Sequence, residues 1–125
     1  MRLIIAAAIA SLFAGPALAA DLENGAKVFK KCSTCHAIGA GATSRVGPPL
    51  NGLFGRKSGT YEGYSYTDAN KNSGITWDEA TFAKYIKDPK GVIPGTKMVF
   101  AGLSADADIT DLTAFLKQYK ADGSK

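Results

Sequence analysis

The stretch Cys32-Ser33-Thr34-Cys35-His36 is the most informative part of the sequence. Two cysteines three positions apart, followed at once by a histidine, match the C-x-x-C-H pattern of c-type haem attachment. Two thiols at this spacing, at the end of a helix, can each add to one vinyl group of a single porphyrin. The adjacent imidazole is then placed to reach the iron. The stretch therefore predicts one haem c per chain, attached covalently through Cys32 and Cys35.

Three other chemistries use closely spaced cysteines. A thioredoxin-like redox pair is expected beside a βαβ pattern, which this sequence lacks. A structural zinc site needs four ligands, whereas the chain has two Cys and one His in total. A disulfide closing a short loop remains open from the cysteine spacing alone, because an unprotected pair outside the cytoplasm tends to oxidise. The lone histidine beside the pair favours haem over that disulfide.

Residues 1–19 have the features of a secretory signal peptide. Arg2 is followed by an apolar run over residues 3–13, then by Gly15-Pro16 and the small-x-small triplet Ala17-Leu18-Ala19. The run is shorter than the ~20 residues that a membrane-spanning helix needs. We therefore expect cleavage after Ala19, export to the periplasm and one domain over residues 20–125. An uncleaved leader would instead tether that domain to the membrane.

The rest of the chain predicts helices separated by long loops. Acidic residues at Asp21 and Glu23 favour a helix start there, with the helix running to Lys31. The stretch 76–79 matches a capping box with Thr76 as N-cap, opening a helix that ends before Pro89. A C-terminal helix is indicated by apolar residues at helical spacing, namely Ile109, Leu112, Leu116 and Tyr119.

The predicted loops, residues 37–63 and 91–102, contain too much apolar material to be left in water. Loops of this length are usually functional or disordered. The large apolar residues in them are Leu50, Leu53, Phe54, Ile93, Val99 and Phe100. We therefore expect the loops to wrap around an apolar group that the chain itself does not provide.

Met98 is the candidate for the second axial ligand of the iron. His36 is the only histidine, and Met1, the only other methionine, leaves with the signal peptide. Thioether ligation opposite histidine raises the reduction potential, and it fills the sixth coordination position. The alternative function, a haem peroxidase-like or small-gas-binding protein, needs that position open, and a peroxidase also needs a distal acid–base group.

The succession of motifs resembles the class I cytochromes c, specifically the mitochondrial-type branch with its small soluble bacterial members. The similar segments are residues 32–36, 47–56 (GPPLNGLFGR), 66–72 (YTDANKN), 74–77 (GITW) and 93–102. The resemblance implies an all-α fold in which the N- and C-terminal helices pack together and long loops surround a covalently bound haem. In that fold, Gly25 and Phe29 meet the C-terminal helix near Leu112 and Phe115.

The resemblance also implies roles for residues near the iron and the haem propionates. The carbonyl of Pro48 would accept a hydrogen bond from the His36 ring and so fix its tautomer. Arg56, Tyr66 and Trp77 would hold a buried propionate, whose charge would be costly to bury without such donors.

The resemblance implies roles for four further residues. Asn70, Tyr85 and Thr96 would form a polar network on the methionine side of the haem. Phe100 would cover the haem near its exposed edge.

The function implied is that of a monomeric one-electron carrier rather than an enzyme. It would connect a quinol-oxidising membrane complex, or a periplasmic dehydrogenase, to a terminal oxidase or a photosynthetic reaction centre. Five lysines would ring the exposed haem edge: Lys30, Lys31, Lys57, Lys90 and Lys97. The formal charge of +4 falls to +3 once Arg2 is removed, which indicates modest, salt-sensitive docking. Basic and acidic residues are interleaved and no nucleic-acid-binding motif is present, so nucleic-acid binding is not expected.

Overall fold

The computed structural model describes residues 19–125, so the predicted signal peptide, apart from Ala19, lies outside the described residues. The helices are α1 (Leu22–Phe29), α2 (Asp68–Lys71), α3 (Glu79–Lys87), α4 (Pro89–Val92) and α5 (Asp106–Lys117). Within residues 19–125 the only β-type pairing is an isolated antiparallel bridge between Lys57 and Thr76. In the same range, no helix has the length and apolar character needed to cross a membrane. The predicted all-α class is confirmed.

Helix α1 begins where the acidic residues predict. The Asp21 carboxylate accepts a hydrogen bond from the backbone N–H of Asn24 at 3.0 Å, which caps the first turn. The helix ends at Phe29, two residues earlier than predicted, but hydrogen-bonded turns continue beyond it. Cys32 N donates to Phe29 O at 2.7 Å, and His36 N donates to Cys32 O at 2.9 Å. These turns project the two thiols and the imidazole from one short, ordered segment.

Helices α1 and α5 pack together at the point that the sequence predicts. A Cβ placed on Gly25 would lie 2.2 Å from the carbonyl oxygen of Asp111 and 2.7 Å from Cβ of Phe115. Only glycine allows the two helices to approach so closely. One turn further along α1, the rings of Phe29 and Phe115 are 5.4 Å apart between centroids. Buried Leu112 and Leu116 continue the contact surface of α5 into the core.

Helix α3 begins at a different cap from the predicted one. Thr76 is not the N-cap, because it is held in extended backbone by its bridge to Lys57. Trp77 N also donates to Arg56 O at 2.9 Å, which keeps the next residue outside the helix. Asp78 caps α3 instead, since its carboxylate accepts from Thr81 N at 2.7 Å. The helix ends at Lys87, before Pro89, as predicted.

Two short helices occupy segments where the sequence predicts none. Helix α4 takes the first two residues of the predicted 91–102 loop, because Pro89 suits the first helical turn and Asp88 accepts from Gly91 N at 3.1 Å. Helix α2 is a single turn begun by Thr67, whose side chain accepts from Asn70 N at 3.4 Å. The long loops before α2 and after α4 are otherwise as predicted, and they close around a cleft.

Candidate functional site

One cleft collects all twelve residues to which the sequence and the resemblance assign a role in binding haem. The twelve are Cys32, Cys35, His36, Pro48, Arg56, Tyr66, Asn70, Trp77, Tyr85, Thr96, Met98 and Phe100. Its apolar walls are supplied by Leu50, Leu53, Phe82, Ile86, Leu112 and Leu116. These residues come from the turns that follow α1, from α2, α3 and α5, and from the loops between the helices. The cleft is therefore the place where the whole chain converges.

Both cysteines are half-buried free thiols that line the cleft. Burial, with a smaller contribution from Cys35, raises the pKa of the Cys32 thiol to about 11. At neutral pH that thiol is therefore protonated. Both sulfurs lie in the turns that follow α1, directly before His36, so the three groups face the same space.

The His36 imidazole is oriented by the backbone around it. Its Nδ1 lies 2.7 Å from the carbonyl oxygen of Pro48. Burial lowers the pKa of His36, although the hydrogen bond to Pro48 acts in the opposite direction. A neutral ring that donates from Nδ1 has an unprotonated Nε2, which is the form that binds a metal.

Gly47 packs against the face of this ring. A Cβ at Gly47 would lie 2.3 Å from Cε1 of His36. Gly47 N donates to Cys35 O at 2.9 Å, which ties this loop to the haem-attachment motif. No role for Gly47 is predicted from the sequence. The only clue there is that Gly47 directly precedes Pro48.

Met98 lies in the loop that follows α4, and two hydroxyl groups hold it. The Tyr85 hydroxyl donates to Met98 Sδ at 3.0 Å, and the Thr96 hydroxyl accepts from Met98 N at 3.3 Å. Burial raises the pKa of Tyr85, so the phenol stays protonated and remains a donor. Asn70 lines the same cleft but pairs elsewhere, as the acceptor for the Thr67 hydroxyl at 3.2 Å. Tyr85 and Thr96 therefore converge on Met98, whereas Asn70 belongs to the cap of α2.

Arg56 places a positive charge in the cleft without a carboxylate partner among residues 19–125. Its guanidinium donates to the carbonyl oxygen of Pro49 at 3.2 Å and to that of Asn51 at 3.4 Å. Burial lowers the pKa of Arg56, but the group stays charged at neutral pH. The guanidinium also lies 5.3 Å from the centroid of the Tyr61 ring. A half-buried cation whose partners are carbonyls and an aromatic ring can still bind an anionic group.

Tyr66 and Trp77 line the cleft together with Arg56. The Tyr66 hydroxyl accepts from Tyr61 N at 3.1 Å. The Trp77 ring is buried and lies 4.8 Å from the ring of Tyr85. Within residues 19–125 its indole N–H has no hydrogen-bond acceptor, so it is available to an acceptor in the cleft.

The rim of the cleft is apolar and basic. Val46 is 71% exposed and Val99 is 90% exposed, next to half-buried Phe100. Lys31 and Lys97 also line the opening. Lys97 Nζ donates to the carbonyl oxygen of Ser65 and lies 4.6 Å from the centroid of the Tyr64 ring. Tyr64, which the sequence analysis does not single out, donates in turn to Val46 O at 2.7 Å.

The donor groups in this cleft fit haem c. Two thiols stand beside a neutral imidazole with a free nitrogen, and a thioether sulfur lies in the same cavity. The walls are apolar, as a porphyrin requires, and Arg56 supplies a cation suited to a propionate. A cradle also exists for the imidazole, since a side chain at Gly47 would fill the space that the ring occupies.

Comparison with known proteins agrees with this fit. The sequence profile of the family described as "Cytochrome c" matches residues 22–120. Cytochrome c2 of Blastochloris viridis is 57% identical over 122 residues, which are 98% of this chain and 92% of that protein. Cytochrome c-550 of Bradyrhizobium diazoefficiens is 65% identical over 95 residues, 76% of this chain and 70% of that protein.

A solved structure supports the same assignment. Cytochrome cH from Methylobacterium extorquens superposes with a TM-score of 0.73 at 42% sequence identity, covering 78% of this chain and 98% of that one. The chain therefore belongs to the cytochrome c family of electron carriers, in which haem c is attached covalently through a cysteine pair, here Cys32 and Cys35.

Proposed function

We propose that His36 and Met98 are the axial ligands of the haem iron and that the protein shuttles single electrons in the periplasm. The observation that carries the assignment is that hydrogen bonds within the protein already orient both side chains. Each side chain still has a lone pair that could bind a metal. Nδ1 of His36 is engaged by Pro48, which leaves Nε2, and Met98 Sδ accepts from Tyr85 through one lone pair, which leaves another. Haem c supplies an iron that accepts and releases one electron.

The protein's own residues would keep the structure of the site the same in the ferrous and ferric forms. Apolar walls from the loops and from α3 and α5 exclude water, so little solvent must reorganise when the charge changes. Arg56 and Trp77 offer donors to an acidic group in the cleft. Because Pro48 O holds the His36 ring and the hydroxyl groups of Tyr85 and Thr96 hold Met98, neither ligand has to move. These features support electron transfer, whereas a peroxidase-like or gas-binding role needs an open coordination position.

Removing the Tyr85 hydroxyl tests the contact to Met98. A hydrogen bond to sulfur withdraws electron density from it, so Tyr85→Phe makes Met98 a stronger donor and favours ferric iron. We expect a lower reduction potential with an unchanged low-spin spectrum, measured by potentiometric titration of the haem-loaded protein. Tyr119→Phe is the control, because Tyr119 does not line the cleft and its replacement should leave the potential unchanged. A potential that is equal in Tyr85→Phe and the parent protein would contradict this role.

The cellular setting follows from the leader and from the relatives. Export by the leader of residues 1–19 would deliver the chain to the periplasm, with the membrane-tethered form arising only if cleavage does not occur. The donor would be a quinol-oxidising membrane complex or a periplasmic dehydrogenase. The acceptor would be a terminal oxidase or a reaction centre. The matched proteins named cytochrome c2 and cytochrome c-550 support a soluble carrier of this kind.

Partners would dock at the rim of the cleft, where Lys31 and Lys97 lie beside exposed apolar side chains; the other three lysines of the expected ring do not line the cleft. All five lysines of the expected ring are exposed: Lys30, Lys31, Lys57, Lys90 and Lys97. Within residues 19–125 none of the five has a carboxylate within ion-pair distance, whereas Lys87 and Lys117 pair with Asp106 and Glu79. The free charges at the rim can therefore steer an acidic partner. Such redox encounters typically bury less than ~1,200 Å² in total.

Charge reversal at Lys31 tests this docking face. We expect Lys31→Glu to slow bimolecular electron transfer to an acidic redox partner several-fold at low salt and to flatten the dependence of the rate on ionic strength. Lys120→Glu changes the net charge equally at an exposed position away from the cleft and serves as the matched control. Stopped-flow kinetics over a range of salt concentrations measures both. Equal slowing in the two variants would show that net charge alone, not this face, governs docking.

A further inference from the structure

Asn24 is followed directly by Gly25, the sequence context in which asparagine loses its amide group most readily. In that reaction the backbone nitrogen of the glycine attacks Cγ of the asparagine. The new N–Cγ bond replaces the Cγ–Nδ2 bond, and the side-chain nitrogen leaves as ammonia with the proton of the glycine N–H. One water molecule then opens the five-membered imide to aspartate or isoaspartate. No oxidant or cofactor is needed.

In the folded protein both the attacking nitrogen and the leaving nitrogen of this reaction are hydrogen-bonded. Gly25 N, the nucleophile, donates to Asp21 O at 2.9 Å. Nδ2 of Asn24, on the leaving group, donates to Asp108 Oδ1 at 3.0 Å and to Asp111 Oδ2 at 2.8 Å. Asn24 also lies within α1, and ring closure requires its backbone to leave the helical conformation.

The product would not fit the place that Asn24 occupies. An aspartate there cannot donate a hydrogen bond to Asp108 or Asp111. It would also place a third negative charge within about 3 Å of these two carboxylates, where the Asn24 amide now donates. Isoaspartate also adds a carbon atom to the main chain next to Gly25, where even an added Cβ would lie 2.2 Å from Asp111 O. Either product therefore opposes the packing of α1 on α5, on which the fold depends.

We propose that Asn24 is a modification site that folding protects: it deamidates in unfolded chains, and deamidated chains then dock α1 on α5 less stably. A second Asn-Gly pair, Asn51-Gly52, is protected by the same kind of hydrogen bonds. Asn51 Nδ2 donates to Gly39 O at 2.9 Å, and Gly52 N donates to Tyr119 O at 3.1 Å.

The test compares the haem-loaded protein in buffer with the same protein in guanidinium chloride, both at pH 8. Because the haem is covalently attached, it stays on the chain in both samples. Peptide mass spectrometry and isoaspartate-specific methylation follow Asn24 over time. We expect modification in the folded sample to be at least about a hundredfold slower, since only its small unfolded fraction reacts. Asn72, which is exposed and followed by Ser73, is the internal control. Its deamidation rate should differ much less between the folded and unfolded samples than that of Asn24.

Refolding then tests the consequence. Chains deamidated at Asn24 should return, after dilution, with a lower guanidinium midpoint than untreated chains, and Asn24→Asp should reproduce that shift. Asn24→Gln keeps an amide donor but cyclises poorly, so after the same incubation its chains stay unmodified at position 24. Asn51 can still react in that variant, and its midpoint should therefore fall less than that of the parent chain. Equal rates in the folded and unfolded samples would overturn the proposal. Deamidated chains that refold with the parental midpoint would also overturn it. Neither result depends on which residues ligate the iron.

Discussion

Replacing Gly25 with alanine will destabilise the protein, although alanine is the better helix former. In an exposed helix the change should raise the free energy of unfolding by about 1 kcal/mol. Here the added Cβ would stand 2.2 Å from the Asp111 carbonyl oxygen and 2.7 Å from Cβ of Phe115, and backbone atoms cannot rotate away. We expect a net loss of about 3 kcal/mol, because α1 must lift from α5.

Guanidinium unfolding of the haem-loaded protein, followed by circular dichroism, measures this loss. Ala26→Gly on the same helix is the control and should cost only about 1 kcal/mol, the propensity difference. The sign of the Gly25→Ala effect decides the matter. A more stable Gly25→Ala protein would show that the close approach of α1 and α5 is not required.

Gly47→Ala is expected to push against the face of the His36 ring without forcing a change in the backbone conformation of residue 47. Gly47 does not have a positive φ, so alanine is sterically allowed there. Its Cβ would nevertheless lie 2.3 Å from Cε1 and 2.7 Å from Nδ1 of His36. The ring must tilt or the loop must move, and either change lengthens the 2.7 Å contact to Pro48 O.

We expect Gly47→Ala to lower the free energy of unfolding by about 2 kcal/mol and to change the absorption spectrum of the haem. Val46→Ala, at the exposed neighbouring position, is the control and should leave both unchanged. Thermal unfolding and visible absorption provide the two measurements. A Gly47→Ala protein with the parental spectrum and stability would contradict the cradle assigned to this glycine.

Much of the fold could be predicted because local signals and tertiary packing agree. Asp21 caps α1, and the apolar spacing along 109–116 matches the buried face of α5. The capping box at Thr76 could not be settled locally. Both Thr76 and Asp78 are good caps, and the pairing of residues 56–57 with 76–77, twenty positions apart, selects Asp78.

The site was predictable to a similar depth and for a similar reason. The attachment motif is contiguous, and the resemblance supplies the other residues, so all twelve could be named and all twelve line the cleft. The contacts among them could not be read from the sequence. Asn70 pairs with Thr67 rather than with Tyr85, because a one-turn helix forms there. Gly47 is defined only by the absence of a side chain, and sequence spacing cannot reveal which ring will fill that space.

The most direct test of the central claim is the absorption spectrum of the haem-loaded protein and of its Met98→Ala variant, in ferric and ferrous forms. We predict narrow low-spin ferrous bands and a weak ferric band near the red end of the spectrum, with the weak band lost in Met98→Ala. A parent protein that is high-spin and binds carbon monoxide at once would contradict ligation by His36 and Met98.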